Sequence, residues 1–252
     1  MGRKTIYTLN INNYAPQITK LTYPLLKYYA RKIGADFYVI KDRKFPEWGV
    51  TYEKLQIFEL AEQRGDEWSI YIDSDALVHP ETLDWTVYLS KDTIAHNGTD
   101  FANVRWRYDR YFQRDGRNIG SCNWLTIASE WCRDLWHPLE ISPKEAVDAI
   151  FPTVMEMNTV ITPDHLIDDY ALSRNIARYG LKTKTLLRLG EEVIPGSNFY
   201  WHAYVLPIEQ KVMGFDRIIP ETGAMEHVPG MIDIINSWKV ERYVYADPLT
   251  IA

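Results

Sequence analysis

Asp73 and Asp75, separated by Ser74, follow directly on the apolar run Trp68-Ser69-Ile70-Tyr71-Ile72. Alternate side chains of an extended chain share a side, so the two acids point together and Ser74 points away. Two carboxylates in one cleft repel each other unless a positive charge lies between them. A divalent cation with oxygen ligands answers that need, and Mg²⁺ or Mn²⁺ also binds phosphates. An apolar strand ending in Asp-x-Asp therefore reads as a metal-diphosphate site at the carboxyl edge of a sheet. A solvated turn with an acidic tip is the plainer reading of a bare Asp-x-Asp. The strand before it and the segments on either side favour the site.

Two further stretches have residue types suited to such a site. His202 lies in the aromatic cluster Asn198-Phe199-Tyr200-Trp201-His202-Ala203-Tyr204. It is either a satisfied core histidine or a third ligand for Mn²⁺. Arg105 to Arg117 interleaves five arginines and two acids with four aromatics. It reads either as a solvated surface segment or as a mobile cover whose arginines meet phosphates and whose rings meet an acceptor.

The elements that must position these residues follow a regular order. Residues 4–10 read as a strand, and Asn12-Asn13-Tyr14-Ala15-Pro16 ends it with turn formers and a proline suited to a helix start. Ile18, Leu21, Leu25, Leu26, Tyr29 and Ile33 recur at helical spacing, and Gly34 is placed to stop the helix. Asp36 to Ile40 is a second strand, completing a βαβ unit of a parallel sheet. Such sheets bind ligands at the carboxyl ends of their strands. After a loop over 42–51, Tyr52 to Arg64 is expected to be helical, with Gly65 after it, and the strand to Asp73 follows. Residues 84–100 resist assignment. Strands are expected at 101–104 and 122–128, a short helix at 130–139, mixed structure over 140–161, and a helix entered through Thr162-Pro163-Asp164-His165 and ended by Gly180. Leu181 to Leu189 alternates like an edge strand.

The whole chain sets wider bounds. Its 252 residues, 46% hydrophobic and 25% charged, suit one large α/β domain or two small ones. The formal net charge of -6 argues against a protein that coats nucleic acid. Cys122 and Cys132 are the two cysteines and read as buried thiols. With no apolar leader and no run long enough to span a bilayer, a cytoplasmic setting is expected. There is no Gly-x-Gly-x-x-Gly after the first strand and no Walker lysine motif, which weakens dinucleotide and P-loop readings.

In order, these motifs resemble a GT-A glycosyltransferase, most of all the retaining group that contains glycogenin and the lipopolysaccharide galactosyltransferases, over residues 5–204. Asn12-Asn13-Tyr14-Ala15 resembles the nucleotide-binding turn, whose aromatic ring packs on uracil. Tyr52-Glu53-Lys54-Leu55 resembles the Tyr-x-Arg/Lys-Leu segment whose base reaches the sugar or diphosphate. Asn118-Ile119-Gly120-Ser121 resembles the Asn-x-Gly segment that positions the donor sugar. Asp168-Asp169, with Leu172 beyond, resembles an Asp-Gln-Asp-x-Leu-Asn motif beneath the sugar, although Asp169 stands where the family often has glutamine and Tyr170 where it has aspartate. His202 resembles the C-terminal metal ligand, but the usual His-x-x-Gly-x-x-Lys-Pro-Trp ending is absent.

The resemblance implies one GT-A, Rossmann-like α/β domain with a mostly parallel central sheet flanked by helices. Residues 1–80 would form the nucleotide-binding half, 81–220 the donor-sugar and acceptor half, and 221–252 a C-terminal extension. It implies metal-dependent transfer, with retention by expectation, of a sugar from a nucleoside diphosphate sugar, expected to be UDP-linked, to the hydroxyl of a glycan, lipid-linked saccharide or protein. Asp73, Asp75 and His202 would hold Mn²⁺ or Mg²⁺. Thr8, Asn10, Asn13, Tyr14, Lys54, Asp73, Ser74, Asn118 and Gly120 would contact the donor, and Asp168, Asp169 and Lys54 would be catalytic. Alternatives are a glycosyltransferase acting on hydroxymethylated bases in DNA, a sugar nucleotidyltransferase, and a non-catalytic sugar-nucleotide binder.

Overall fold

A computed structural model of the chain describes residues 2–97, 124–154, 164–193, 195 and 228–238. The stretch Arg105 to Arg117, together with Asn118, Gly120, Cys122 and His202, lies outside the described residues, as does the strand expected at 101–104.

The described part is mixed α/β. Six strands form one sheet in the order β2-β1-β3-β5-β4-β6. They are β1 (Arg3–Leu9), β2 (Asp36–Ile40), β3 (Asp66–Ile72), β4 (Thr93–His96), β5 (Trp124–Ala128) and β6 (Lys182–Thr185). β1 pairs in parallel with β2 and β3, and β4 with β6, while β5 runs antiparallel to both its neighbours. The sheet is thus mostly parallel, as expected, with β5 as the reversed strand.

Side-chain parity divides the core between the two faces. Ile6, Trp68, Ile70 and Ile72 point to one face and pack with Leu26, Tyr29, Ala30 and Ile33 of α1 (Pro16–Ile33). Tyr7, Leu9 and Tyr71 point to the other, toward Ile57 and Ala61 of α2 (Ile57–Arg64) and toward α5 (Asp164–Tyr179), the helix that follows α3 (Ser129–Cys132) and α4 (Pro143–Val154). β2 lies on one side of β1 and β3 on the other, so the carboxyl ends of β1 and β3 flank a point where strand order reverses. Ligand crevices of open α/β sheets lie at such points.

α1 straps the chain where it leaves β3. Thr22 Oγ1 donates to the Ser74 carbonyl, Tyr29 Oη donates to the Leu83 carbonyl at 2.8 Å, and Lys32 Nζ reaches the Pro80 and Thr82 carbonyls at 2.9 and 3.0 Å. On α1's outer side, Ile18 and Leu25 pack with Leu77, with Met231 and Ile235 of the C-terminal α7 (Val228–Ser237), which follows α6 (Leu186–Val193), and with Trp238 just after it.

Several boundaries differ from the expected ones. The helix expected over 52–64 starts as a 3-10 segment, Val50–Gln56, before becoming α2. Residues 84–100 hold a 3-10 turn, Trp85–Val87, and the four-residue β4, too short to show a period. The helix expected at 130–139 divides into α3 and a 3-10 turn, Arg133–Trp136, where the Trp136 indole turns inward and donates to Ser69 Oγ at 3.2 Å. α4 occupies much of the stretch read as mixed. The strand expected over 181–189 stops at Thr185, because Leu186 and Leu189 recur at helical spacing in α6 and bury together against the sheet.

α1 ends as Gly34 takes a left-handed φ of 67°, with the Ala35 amide donating to the Ala30 carbonyl at 2.8 Å. An added Cβ at Gly34 would meet no atom within 4 Å, so only the backbone opposes substitution. Gly34→Ala should destabilise the protein by about 1–2 kcal/mol, read as a lower urea midpoint at an unchanged slope.

Candidate active site

Three elements converge at the carboxyl edge of β1 and β3. The first is the loop after β1. Asn12, Asn13 and Ala15 all have positive φ, at 57°, 54° and 41°. Asparagine tolerates this conformation, but alanine does not, at a cost of about 1–2 kcal/mol. Backbone strain of this kind clusters at ligand sites. Here it presents Tyr14, 44% exposed, beside the acid pair. Burial, with the charges of Asp75 and Asp73 behind it, pushes the Tyr14 hydroxyl up to about 12. Just below, Thr8 Oγ1 and Asn10 Oδ1 are buried with no hydrogen-bond partner among the described residues, while Asn10 Nδ2 donates to Tyr23 Oη at 2.9 Å. Orphaned buried acceptors are rare and call for a partner.

The second element is the 3-10 segment Val50–Gln56. Three residues per turn send successive side chains about 120° apart, so consecutive residues serve different neighbours. Tyr52 stacks on Trp48 at 4.2 Å and accepts the Leu139 amide at 2.7 Å. Glu53, fully buried, takes Arg43 Nε at 2.6 Å, the Lys44 amide at 2.9 Å and Gln56 Nε2 at 2.6 Å. Lys54 turns into the cleft, and Leu55 enters the core.

The third element is α5, whose Asp168 accepts Lys54 Nζ at 2.6 Å and Thr51 Oγ1 at 3.2 Å. Asp169 is buried next to it and its charge also acts on Lys54.

The acid pair sits where these elements meet. β3 ends at Ile72, and the chain turns at once, with the Ala76 amide donating to the Asp73 carbonyl at 3.0 Å. The extended Asp-Ser-Asp assumed from alternation is therefore corrected to a turn, forced by the strapping of Ser74 to Thr22. Parity still holds for Asp73, which lies on Tyr71's face and accepts its hydroxyl. The Lys54 ammonium stands 4.9 Å over the Tyr71 ring.

The charge around Asp75 is one-sided: among the described residues Asp75, Asp168 and Asp169 are buried and Asp73 partly so around the Lys54 ammonium, and Asp75 feels the charge of Asp73 more than that of Lys54. Burial opposes charge on Lys54, but Asp168, then Asp73 and Asp169, outweigh it and raise its pKa. Burial raises Asp73, with Lys54 and the Tyr71 hydroxyl opposing and Asp168 adding to the rise. Burial and then the charge of Asp73 push Asp75 up to about 7.

The described residues thus bring together Tyr14, Lys54, Asp73, Asp75, Asp168 and Asp169, with Asn13 and Ser74 next to them in the chain, while Thr8 and Asn10 lie at the end of β1 on the face that carries α1. Among them no group of three His, Cys, Asp or Glu side chains is placed to hold a metal. Tyr71, Thr51 and Glu53 belong to the same constellation and were not singled out from sequence. The signal for Tyr71 was its position two residues before Asp73 on one strand. Glu53 filled the variable position of its motif.

No family model and no curated protein matches the chain. Solved structures similar to it include a glycosyltransferase involved in glycosylating the major capsid of PBCV-1, at 14% identity and a TM-score of 0.41 over 73% of this chain and 81% of that one. Drosophila beta-1,4-galactosyltransferase 7, in complex with manganese, UDP-Gal and xylobiose, is similar at 10% identity and a TM-score of 0.42, over 73% of this chain and 64% of its own. The glycosyltransferase GlyE of Streptococcus pneumoniae is similar at 13% identity and a TM-score of 0.41, over 96% of this chain and 64% of its own. Likeness at this level assigns neither a family nor an activity.

Asp75 makes the imbalance measurable. Its folded pKa of about 7 exceeds the ordinary 3.8, so between those values the native state holds more protons than the unfolded one. Stability then falls as pH rises through that window and levels off above it. Without added metal, Asp75→Asn should be more stable than wild type at pH 8, by on the order of 2 kcal/mol. The difference should shrink toward pH 4 in paired denaturation curves.

Proposed function

We propose that the chain is a metal-dependent glycosyltransferase of the GT-A type, moving a sugar from a UDP-linked donor to an acceptor hydroxyl with retention. One observation carries this: Asp73 and Asp75 are crowded together at the carboxyl edge of a mostly parallel sheet, with Asp75 buried and raised by the charge of Asp73, near acceptors at the end of β1 that have no partner among the described residues. A cation and a nucleoside diphosphate answer both features.

The donor set fits Mn²⁺ or Mg²⁺. Both ions prefer hard carboxylate oxygens and are held by one or two carboxylates together with substrate phosphates. Asp73 and Asp75 would hold the ion, with His202 as a third ligand. Bound there, it would supply Lewis-acid neutralisation of the diphosphate.

The chain's own groups do the rest. Tyr14 offers its exposed ring to the base, and such stacking is worth about 1–3 kcal/mol in single-strand binders. Thr8 and Asn10 accept from the nucleoside. Lys54 is held by Asp168 and, in this reading, stabilises negative charge on the departing diphosphate. Asp168 is engaged with Lys54 and Thr51 and Asp169 is buried next to it, and one of the two would face the sugar ring. A carboxylate there stabilises an oxocarbenium-like transition state, by covalent attack or by its field alone.

Purified protein with Mn²⁺ should be offered each common nucleotide sugar, and nucleoside diphosphate release followed. Release from a UDP-sugar, abolished by a chelator and by Asp75→Ala, is expected. Release that survives both would contradict the proposal.

A further inference from the structure

We infer that Tyr71 is a positioning residue of the acid pair: by engaging one oxygen of Asp73 it leaves the other as the preferred single-oxygen ligand, which favours Mn²⁺ or Mg²⁺ over Ca²⁺. This rests on the glycosyltransferase reading above and adds to it the origin of metal preference.

The geometry begins with the strand. Residues two apart on β3 share a face, so Tyr71 and Asp73 lie on the side that carries α5. The Tyr71 ring is 1% exposed and held on all sides. It pairs with Tyr7 across β1 and with Leu125 across β5, and meets the Trp136 indole edge-on at 6.1 Å. A ring so confined fixes its hydroxyl in space. That hydroxyl donates to Asp73 Oδ1, since an ionised carboxylate can only accept. The opposite side of the contact is shared with Lys54, whose ammonium stands over the ring and is gripped by Asp168. Tyr71 therefore joins the lysine-aspartate pair to the acid pair as one rigid unit.

The consequence is chemical. With one lone pair of Oδ1 taken by the Tyr71 hydroxyl, Oδ2 is the less encumbered ligand and chelation through both oxygens is disfavoured. Mg²⁺ and similar six-coordinate ions accept single oxygens at close to ideal octahedral positions, whereas Ca²⁺ takes six to eight ligands and often both oxygens of a carboxylate. Partners of metal ligands commonly alter affinity by about 10–100-fold when removed.

The test is Tyr71→Phe, which keeps the ring, its packing and the lysine contact. Free Mn²⁺ is followed by its paramagnetic resonance signal in the presence of UDP, with Ca²⁺ as competitor and Asp75→Asn as control. Mn²⁺ binding should weaken by about 10-fold or more, and Ca²⁺ should compete better than in wild type. A merely structural tyrosine would not move the Mn²⁺ to Ca²⁺ ratio. Wild-type affinity and ratio in Tyr71→Phe, with binding lost in Asp75→Asn, would overturn the inference and leave the glycosyltransferase reading intact. No Mn²⁺ binding by wild type would overturn both. Should Tyr71→Phe not fold, 3-fluorotyrosine at position 71 serves instead. Its fluorine resonance should shift on adding Mg²⁺ and UDP, and an unmoved line would overturn the inference.

Discussion

The ion pair between Lys54 and Asp168 joins the two halves of the cleft, across 114 residues of sequence. One partner comes from the 3-10 segment that leads into α2, the other from the second turn of α5. Both side chains are almost wholly buried. Such a pair is costly to desolvate, and removing one partner alone typically costs about 3–5 kcal/mol because the other charge is stranded. Asp73 also acts on the same ammonium, and Asp75 feels the charge of Asp73 more strongly than that of Lys54. Folding thus holds together groups that repel, and the raised pKa of Asp75 is the measure of that tension.

The surrounding structure serves to keep that cluster rigid. Glu53 ties the 43–45 loop to the 3-10 segment, and Tyr52 ties the segment to Trp48 and Leu139. α1 holds the Asp-Ser-Asp turn through Thr22 and the following chain through Tyr29 and Lys32. α7 in turn lies against α1 and Leu77, just beyond the turn, with Trp238 set edge-on to His79 at 4.9 Å. The strained residues Asn12, Asn13 and Ala15 stand directly before α1, so the helix that anchors the acids also anchors Tyr14.

Much of this organisation was legible in the chain itself. The first βαβ unit follows from Pro16, the helical spacing and Gly34, and the second strand falls at Asp36–Ile40 as expected. Signals there are local and strong. The elements that escaped notice are those whose shape is set by distant neighbours. A 3-10 start at Val50 depends on Glu53 and Tyr52 finding partners in other segments, and β4 depends on pairing with β5 and β6. The antiparallel sense of β5 has no signature in the five residues Trp124–Ala128. At the site, Asp-x-Asp and Tyr-Glu-Lys-Leu stood out as separate motifs. The pairing of Lys54 with Asp168, and the part of Tyr71 between them, come only with the folded chain.

The central claim is that the crowded pair Asp73 and Asp75 is a seat for a divalent cation and a diphosphate together. Calorimetric titration of UDP into the purified protein, with and without Mn²⁺, tests it most directly. The account predicts binding that requires Mn²⁺ and releases protons near pH 7, as Asp75 gives up its proton to make room for the metal. UDP binding of equal strength without the metal, or none in its presence, would contradict it.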